Sequence, residues 1–201
     1  MNTFVTADTH FGCQNLIEQT RKWSSILTHD DYVLSNINGS VGRSDRLIIL
    51  GDFCKYPRDV AMWRSRINCK RIDIVLGNHD KRGRMESVFG KQRVQESLLL
   101  KHGPEKTLVY LSHYPHVHYP HSHYGAFHAY GHVHAQKEYE MDQMMPDRRS
   151  MDVGVDNAWK RFARPRPYLM EEVLDLLRDR PGHGLIKPED RWKKRDYPPV
   201  S

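Results

Sequence analysis

The sequence predicts a layered α/β domain, and three observations carry that prediction. Apolar, β-rich runs alternate with helix-period segments through the first half of the 201-residue chain. After Phe89 the pattern shifts to short strands separated by turn-forming residues. Four of the apolar runs also end in a polar cluster: Phe4-Val5 before Asp8, Leu47 to Leu50 before Asp52, Ile72 to Leu76 before Asn78, and Leu108 to Leu111 before His113. Side chains at the C-terminal ends of neighbouring strands can converge on one point.

Taken in order, residues 2 to 7 form the first expected strand, followed by the Asp8-x-His10 loop and a helix from Asn15 to Ile26. A second helix is expected from Asp30 to Asn38, with Thr28 as its N-cap and Gly39 near its end. Leu47 to Leu50 read as a buried strand; Pro57 suits the first turn of a helix carrying Val60, Trp63 and Ile67. Ile72 to Leu76 form the next strand. Val94 to Leu100 and Thr107 to Leu111 read as a hairpin around Gly103-Pro104. Further short strands are expected at Ala126 to Tyr130 and Met151 to Val155. The last helix should run from Pro167 or Tyr168 to Arg178 and stop at Pro181-Gly182.

Length favours one domain, over residues 1–180, with a basic, Pro-containing tail over 181–201. The tail carries Arg191-Trp-Lys-Lys-Arg195 and Pro198-Pro199. No run approaches the roughly 20 apolar residues that cross a bilayer. A strand so close to Met1 leaves no room for a signal peptide, so a cytoplasmic location is expected, with no membrane partner. Cys13, Cys54 and Cys69 are odd in number and lack Cys-x-x-Cys spacing, which fits reduced thiols. The net charge is +6, and residues 160–201 hold eleven Lys or Arg against seven Asp or Glu. Most of the excess therefore lies toward the C-terminal end, and nucleic acid is a weakly supported partner.

Five clusters of metal-ligand side chains run down the chain: Asp8-Thr-His10, Gly51-Asp52, Gly77-Asn78-His79-Asp80, His113 and Gly131-His132-Val-His134. In that order they resemble the calcineurin-like metallophosphoesterase superfamily, and more closely its small stand-alone members, over residues 3 to about 156. The resemblance implies a four-layer α-β-β-α sandwich of two mixed sheets, with a dinuclear metal site at the strand ends. By the same resemblance Asp8, His10 and His134 with Asp52 hold one ion, and Asn78, His113 and His132 with Asp52 hold the other. The mixed imidazole and oxygen set suits Mn²⁺ first, with Fe, Zn²⁺, Co²⁺ or Ni²⁺ also compatible, over Ca²⁺. In a strand-like Gly131 to His134 segment, residues two apart would share a face.

Two ions about 3.5 to 4 Å apart neutralise phosphoryl oxygens and acidify a shared water, which is what a stable anionic ester requires. His79 matches the family's catalytic histidine, placed to protonate the leaving oxygen. Asp80 reads either as the group orienting an imidazole or as an N-cap. The expected activity is hydrolysis of a phosphomonoester or phosphodiester in a small nucleotide-like or other compact substrate. The alternatives are a nuclease of the same superfamily and a non-catalytic protein-binding scaffold. Gly51-Asp-Phe-Cys-Lys-Tyr-Pro-Arg58 lacks the Gly-Asp-Asp-Arg-Gly pattern of the serine/threonine phosphatases, which weakens that reading. Eight of the thirteen histidines fall between positions 113 and 134. His116, His118, His121, His123 and His128 read as a polar rim loop or a substrate contact. Lys81, Arg82 and Arg84 read as solvated charges or as an attraction for the substrate anion.

Overall fold

The computed structural model describes residues 1–182. The predicted tail from His183 onward lies outside the described residues. In chain order the elements are β1 (Thr3–Thr6), α1 (Ile26–Ser40), β2 (Arg46–Leu50), α2 (Val60–Arg66), β3 (Arg71–Val75), α3 (Arg82–Phe89), β4 (Val94–Gln95), β5 (Ser97–His102), β6 (Thr107–Ser112), β7 (Phe127–Tyr130), α4 (Glu138–Met144), β8 (Ser150–Asp152), α5 (Val155–Phe162), β9 (Tyr168–Leu169) and α6 (Met170–Arg178). The chain is a mixed α/β structure with two mixed sheets.

The first sheet has the order β4-β3-β2-β1-β9. Its first four strands are parallel, and β9 joins β1 antiparallel through Phe4 opposite Leu169. Both faces are apolar, as expected of parallel strands covered on each side. Phe4, Leu47, Ile49, Ile72 and Ile74 point to one face, where Val33, Leu34 and Ile37 of α1, Val60 and Trp63 of α2, and Met85 and Phe89 of α3 cover them. The alternating residues Val5, Ile48, Leu50 and Val75 point to the other face and meet the second sheet. Each such aliphatic burial contributes about 1.5–3 kcal/mol.

The second sheet has the order β5-β6-β7-β8, with β5 antiparallel to β6 and the remaining pairs parallel. Val109, Leu111, Phe127, Ala129 and Met151 form its inner face, and α6 joins them through Met170, Val173, Leu174 and Leu177. Its outer face is polar. Arg148, 1% exposed, donates to the Tyr130 hydroxyl at 2.5 Å, to Glu138 at 3.1 Å and to Asp142 at 2.8 Å. Burial opposes the charge of Arg148, yet Tyr130, Glu138 and Asp142 together hold its pKa above the ordinary value. Charged partners that satisfy one another make such a group tolerable inside.

Five expectations fail in detail, each for a local reason. The helix expected from Asn15 to Ile26 is a single π-helical turn, Leu16–Thr20, closed by the Arg21 amide on the Leu16 carbonyl. The wide turn lets Arg21 leave the helical path and reach the Asp8 and Thr9 carbonyls. α1 starts at Ile26 with Ser25 at its N-cap position, and Thr28 lies inside its first turn, donating to the Ser25 carbonyl. The run from Val94 to Leu100 is two strands in different sheets: β4 pairs with β3, and β5 pairs with β6. The strand expected over Met151 to Val155 ends at Asp152, because Val155 opens α5 and places Asp156 in that helix's first turn. Likewise Tyr168 and Leu169 are strand, and α6 begins only at Met170, where Glu172 accepts from the Leu169 amide at 2.9 Å.

Among the described residues no helix is long and apolar enough to cross a membrane.

Candidate metal centre

The parallel strands β1, β2 and β3 end side by side, and their following loops deliver Asp8, Asp52 and Asn78 to one place. The second sheet supplies His113 just after β6 and His132 and His134 just after β7. Asp8, Asp52, His10 and His113 are buried; Asn78, His79 and His132 are exposed. The cluster is thus a buried floor of carboxylates and imidazoles below a solvent-facing rim.

The backbone is strained where these side chains converge. Asp8, His10, Asp52, His132 and His134 all have positive φ, between 48° and 70°. They make up half of the ten such non-glycine residues among those described, and unfavourable φ persists where surrounding structure enforces it. His132 and His134 therefore stand in a tight turn, and the strand-like alternation expected for Gly131 to His134 does not occur; β7 ends at Tyr130. The motif glycines answer to crowding. A Cβ on Gly77 would stand 2.5 Å from the Asp52 amide nitrogen, and one on Gly131 would stand 2.5 Å from the Asp8 carboxylate.

Two triads of donor atoms could hold a metal ion: Asp8, His10 and His134, and Asp8, Asp52 and His113. Asp52 Oδ2 lies between the imidazoles, 3.3 Å from His10 Nε2, 3.6 Å from His113 Nε2 and 4.0 Å from His79 Nε2. Asp8 Oδ1 and His10 Nε2 are 3.9 Å apart, buried, and without a hydrogen-bond partner among the described residues. Buried polar atoms are ordinarily paired, and two orphans facing one another could share a cation. Burial pushes the Asp8 carboxyl well above its usual range, with Asp152 and Asp52 adding to it. Burial also pushes His10 down to about 2, with Arg21 and His134 adding to it. A proton on His10 is therefore a poor substitute for a metal.

The tautomer of His113 leads to the same conclusion. Its Nδ1 lies 2.8 Å from the Leu50 carbonyl, which can only accept, so the proton sits on Nδ1. The Nε2 lone pair then faces Asn78 Oδ1 at 2.9 Å and Asp52 at 3.6 Å. These are acceptors with no proton between them. Burial holds the His113 pKa below its ordinary value despite Asp52, which disfavours an imidazolium as the remedy. His132 joins this side through its ring, 5.0 Å from that of His113, and its amide donates to Asp8 Oδ2 at 2.8 Å.

The set of groups that aim the ligands was largely missed by sequence reasoning. His134 Nδ1 lies 2.7 Å from Asp156 Oδ2, leaving Nε2 for the centre. Arg21 clamps Asp156 through Nε at 3.0 Å and Nη2 at 2.8 Å, and the same Nη2 donates to the Asp8 carbonyl at 2.6 Å. Burial alone would raise the Asp156 pKa, yet Arg21 and His134 hold it well below the usual carboxylate range. Behind Arg21 stand His29 at 3.0 Å and then Asp30, which also accepts from the Gly12 amide. Only the position of Asp156 after the last histidine pair hinted at this role, and Arg21 carried no signal because it sat in a predicted helix.

Asp80 does something simpler than either expectation. Its carboxylate accepts from the amides of Asp52 at 2.9 Å, Gly77 at 2.9 Å and Phe53 at 3.1 Å, while the His79 amide donates back to Asp52 at 3.0 Å. The two loops are clasped by these reciprocal bonds. Burial pushes Asp80 up to about 6, against the pull of those amides. His79 stands at the rim, its ring 5.4 Å from that of His10.

Other polar candidates are committed elsewhere. Arg82 pairs with Glu86 and Glu96, and Arg84 donates to the Pro57 and Arg58 carbonyls. Burial pushes the Cys54 thiol up to about 12, so it is inert, and Cys13 is buried as well. His128, expected in the rim loop, instead lies on β7, fully buried beneath Tyr110 and Tyr119, where it donates from Nδ1 to the Tyr110 carbonyl and accepts the His116 amide. His116, His118, His121 and His123 are exposed. Both metal-competent groups among the described residues lie at the central cluster, and the loop adds none.

No known family profile matches the chain, and no curated protein does. A solved structure of a protein of unknown function from Aquifex aeolicus, AQ665, is similar at a TM-score of 0.66 and 21% identity. The match covers 87% of this chain and 98% of that one, a likeness of fold over nearly the whole of both.

Proposed function

We propose that this chain is a divalent-metal-dependent phosphoesterase that hydrolyses a monoester or diester bond in a small, compact phosphate ester. In this reading the two sheets and their helices are a four-layer α-β-β-α sandwich with a dinuclear centre at the strand ends. The observation that carries it is the orphaned pair Asp8 Oδ1 and His10 Nε2 beside the Asp52 carboxylate, an arrangement of buried acceptors that fits cations.

Asp8, His10, His134 and Asp52 would hold one ion, and Asn78, His113, His132 and Asp52 the other, with Mn²⁺ the first choice. Such ions neutralise phosphoryl oxygens and acidify a water. The chain's own residues do the rest. His79, free at the rim, donates a proton to the departing ester oxygen. Asp80 holds the Asp52 loop through the amides of Asp52, Phe53 and Gly77, and the Asp52 carboxylate in turn takes the His79 amide. Asp156 and Arg21 fix the imidazole of His134, as outer partners of metal-bound histidines do.

The test is hydrolysis of a nitrophenyl phosphodiester and its monoester by chelator-stripped protein, with and without Mn²⁺. Metal-dependent cleavage is expected, and His79→Ala should lose at least about a hundredfold in turnover while metal binding persists. Silence on both esters with Mn²⁺, Zn²⁺, Co²⁺, Ni²⁺ and Fe²⁺ would overturn the proposal.

A further inference from the structure

A cavity of about 300 Å³ lies beside the metal-ligand cluster and shares His134 and Asp156 with it. That volume is at the lower end of small-molecule pockets, which run from roughly 300 to 1,000 Å³. Its wall is aromatic. Trp23 meets Trp159 edge-on at 5.9 Å, and both rings brace against Tyr32, at 5.6 and 5.7 Å. Val33 and Val155, both buried, complete the apolar side. Trp159 remains 42% exposed, an indole face left for something to cover.

We infer that this cavity receives the base of a nucleotide-like substrate, against Trp23 and Trp159, while the phosphate lies at the Asp8, His10 and Asp52 cluster. The phosphate half rests on the proposed phosphoesterase reading; the ring half stands on the cavity. The polar lining selects the ligand. Arg21 is fully engaged with Asp156, His29 and the carbonyls of Asp8 and Thr9, so it is not free to bind an anion. His29 is held between Arg21 and Asp30. The Gln136 side-chain amide has no partner among the described residues, and Lys160 donates to the Ala135 carbonyl at 2.9 Å. An aliphatic group would leave the Gln136 side-chain amide unpaired on burial, which is costly. A flat ring with hydrogen-bonding edges satisfies the indoles and the amide together.

The experiment uses the purified full-length chain and phosphate-free probes, adenosine and uridine, followed by tryptophan fluorescence. A saturable response is expected for at least one nucleoside, weakened at least tenfold in Trp159→Ala, largely restored in Trp159→Phe, and weakened in Gln136→Leu. With Mn²⁺, Trp159→Ala should raise KM for AMP at least about tenfold more than KM for ribose 5-phosphate, and an equal rise for both would overturn the base pocket. A wild-type chain that cleaves nitrophenyl esters yet responds to neither nucleoside overturns the base pocket and spares the phosphoesterase reading. Tryptophan-dependent nucleoside binding without metal-dependent turnover of any ester supports the pocket and counts against that reading. Should Trp159→Ala not fold, wild-type affinity in both Trp159→Leu and Gln136→Leu would overturn the pocket.

Discussion

The two sheets divide the work of the site and are covered in opposite ways. The first sheet, sealed by apolar residues on both faces, delivers the oxygen donors Asp8, Asp52 and Asn78 from the ends of parallel strands. The second, apolar inside but polar outside, delivers three of the imidazoles: His113, His132 and His134. Carboxylates at strand ends are aimed by the strand itself and by neighbouring amides. Imidazoles on turns need an acceptor on the far nitrogen, and here the Leu50 carbonyl and Asp156 supply it. Neither sheet alone carries a full ligand set, so the site exists only when the sheets are docked.

That division can be broken most sharply at its meeting point. Asp52→Asn removes the charge lying between His10 and His113; metal content by atomic emission should fall and ester turnover should drop to background. Retention of full turnover would sink the central role given to Asp52. The polar outer face gives the next largest effect. Arg148→Met leaves Glu138 without its cation and Asp142 with Arg180 alone, and denaturant unfolding should show a loss of about 3–5 kcal/mol. A change under about 1 kcal/mol would mean that the cluster is better solvated than its burial implies.

Asp156→Asn tests the aiming of an imidazole without touching a donor atom of the centre. Metal affinity by calorimetry should weaken about 10–100-fold with the fold intact, whereas unchanged affinity would show that turn geometry alone holds His134. The smallest effect is one of pH. Burial depresses the His128 pKa to about 3, so the folded protein keeps this ring neutral while the unfolded chain protonates it near pH 6.5. Its contribution to stability is complete above about pH 6.5 and declines as pH falls toward 3, at up to about 1.4 kcal/mol per pH unit. His128→Gln should flatten the wild-type slope of stability between pH 6.5 and 4.5; parallel slopes would reject this account.

The difference between the sheets also explains what could be read in advance. Strands β1, β2 and β3 were legible because their residues are apolar on both faces and end abruptly in Asp or Asn. The hairpin was legible from Gly103-Pro104, but its first strand was not divided correctly, since nothing local in Val94 to Leu100 says that two neighbours join different sheets. α4 was missed entirely: Glu138 to Met144 buries no residue on a continuous apolar stripe and is held by Arg148, a cation ten residues away from Glu138. The start of α5 was taken as strand because Val153 and Val155 alternate with Gly154.

By itself the sequence determined the order and chemistry of the donor groups, and the positions of the strands that deliver them, because burial on both faces and an abrupt polar end are local properties. Tertiary structure decided which atoms are left without partners, which turns adopt positive φ, and which distant residues orient the imidazoles. Arg21 and Asp156 are 135 residues apart and meet only when the loop after β1 packs on α5. The cavity walled by Trp23 and Trp159, with Tyr32 bracing both rings, arises the same way. Such contacts depend on how loops pack in three dimensions, and the local pattern of the chain carries no trace of them.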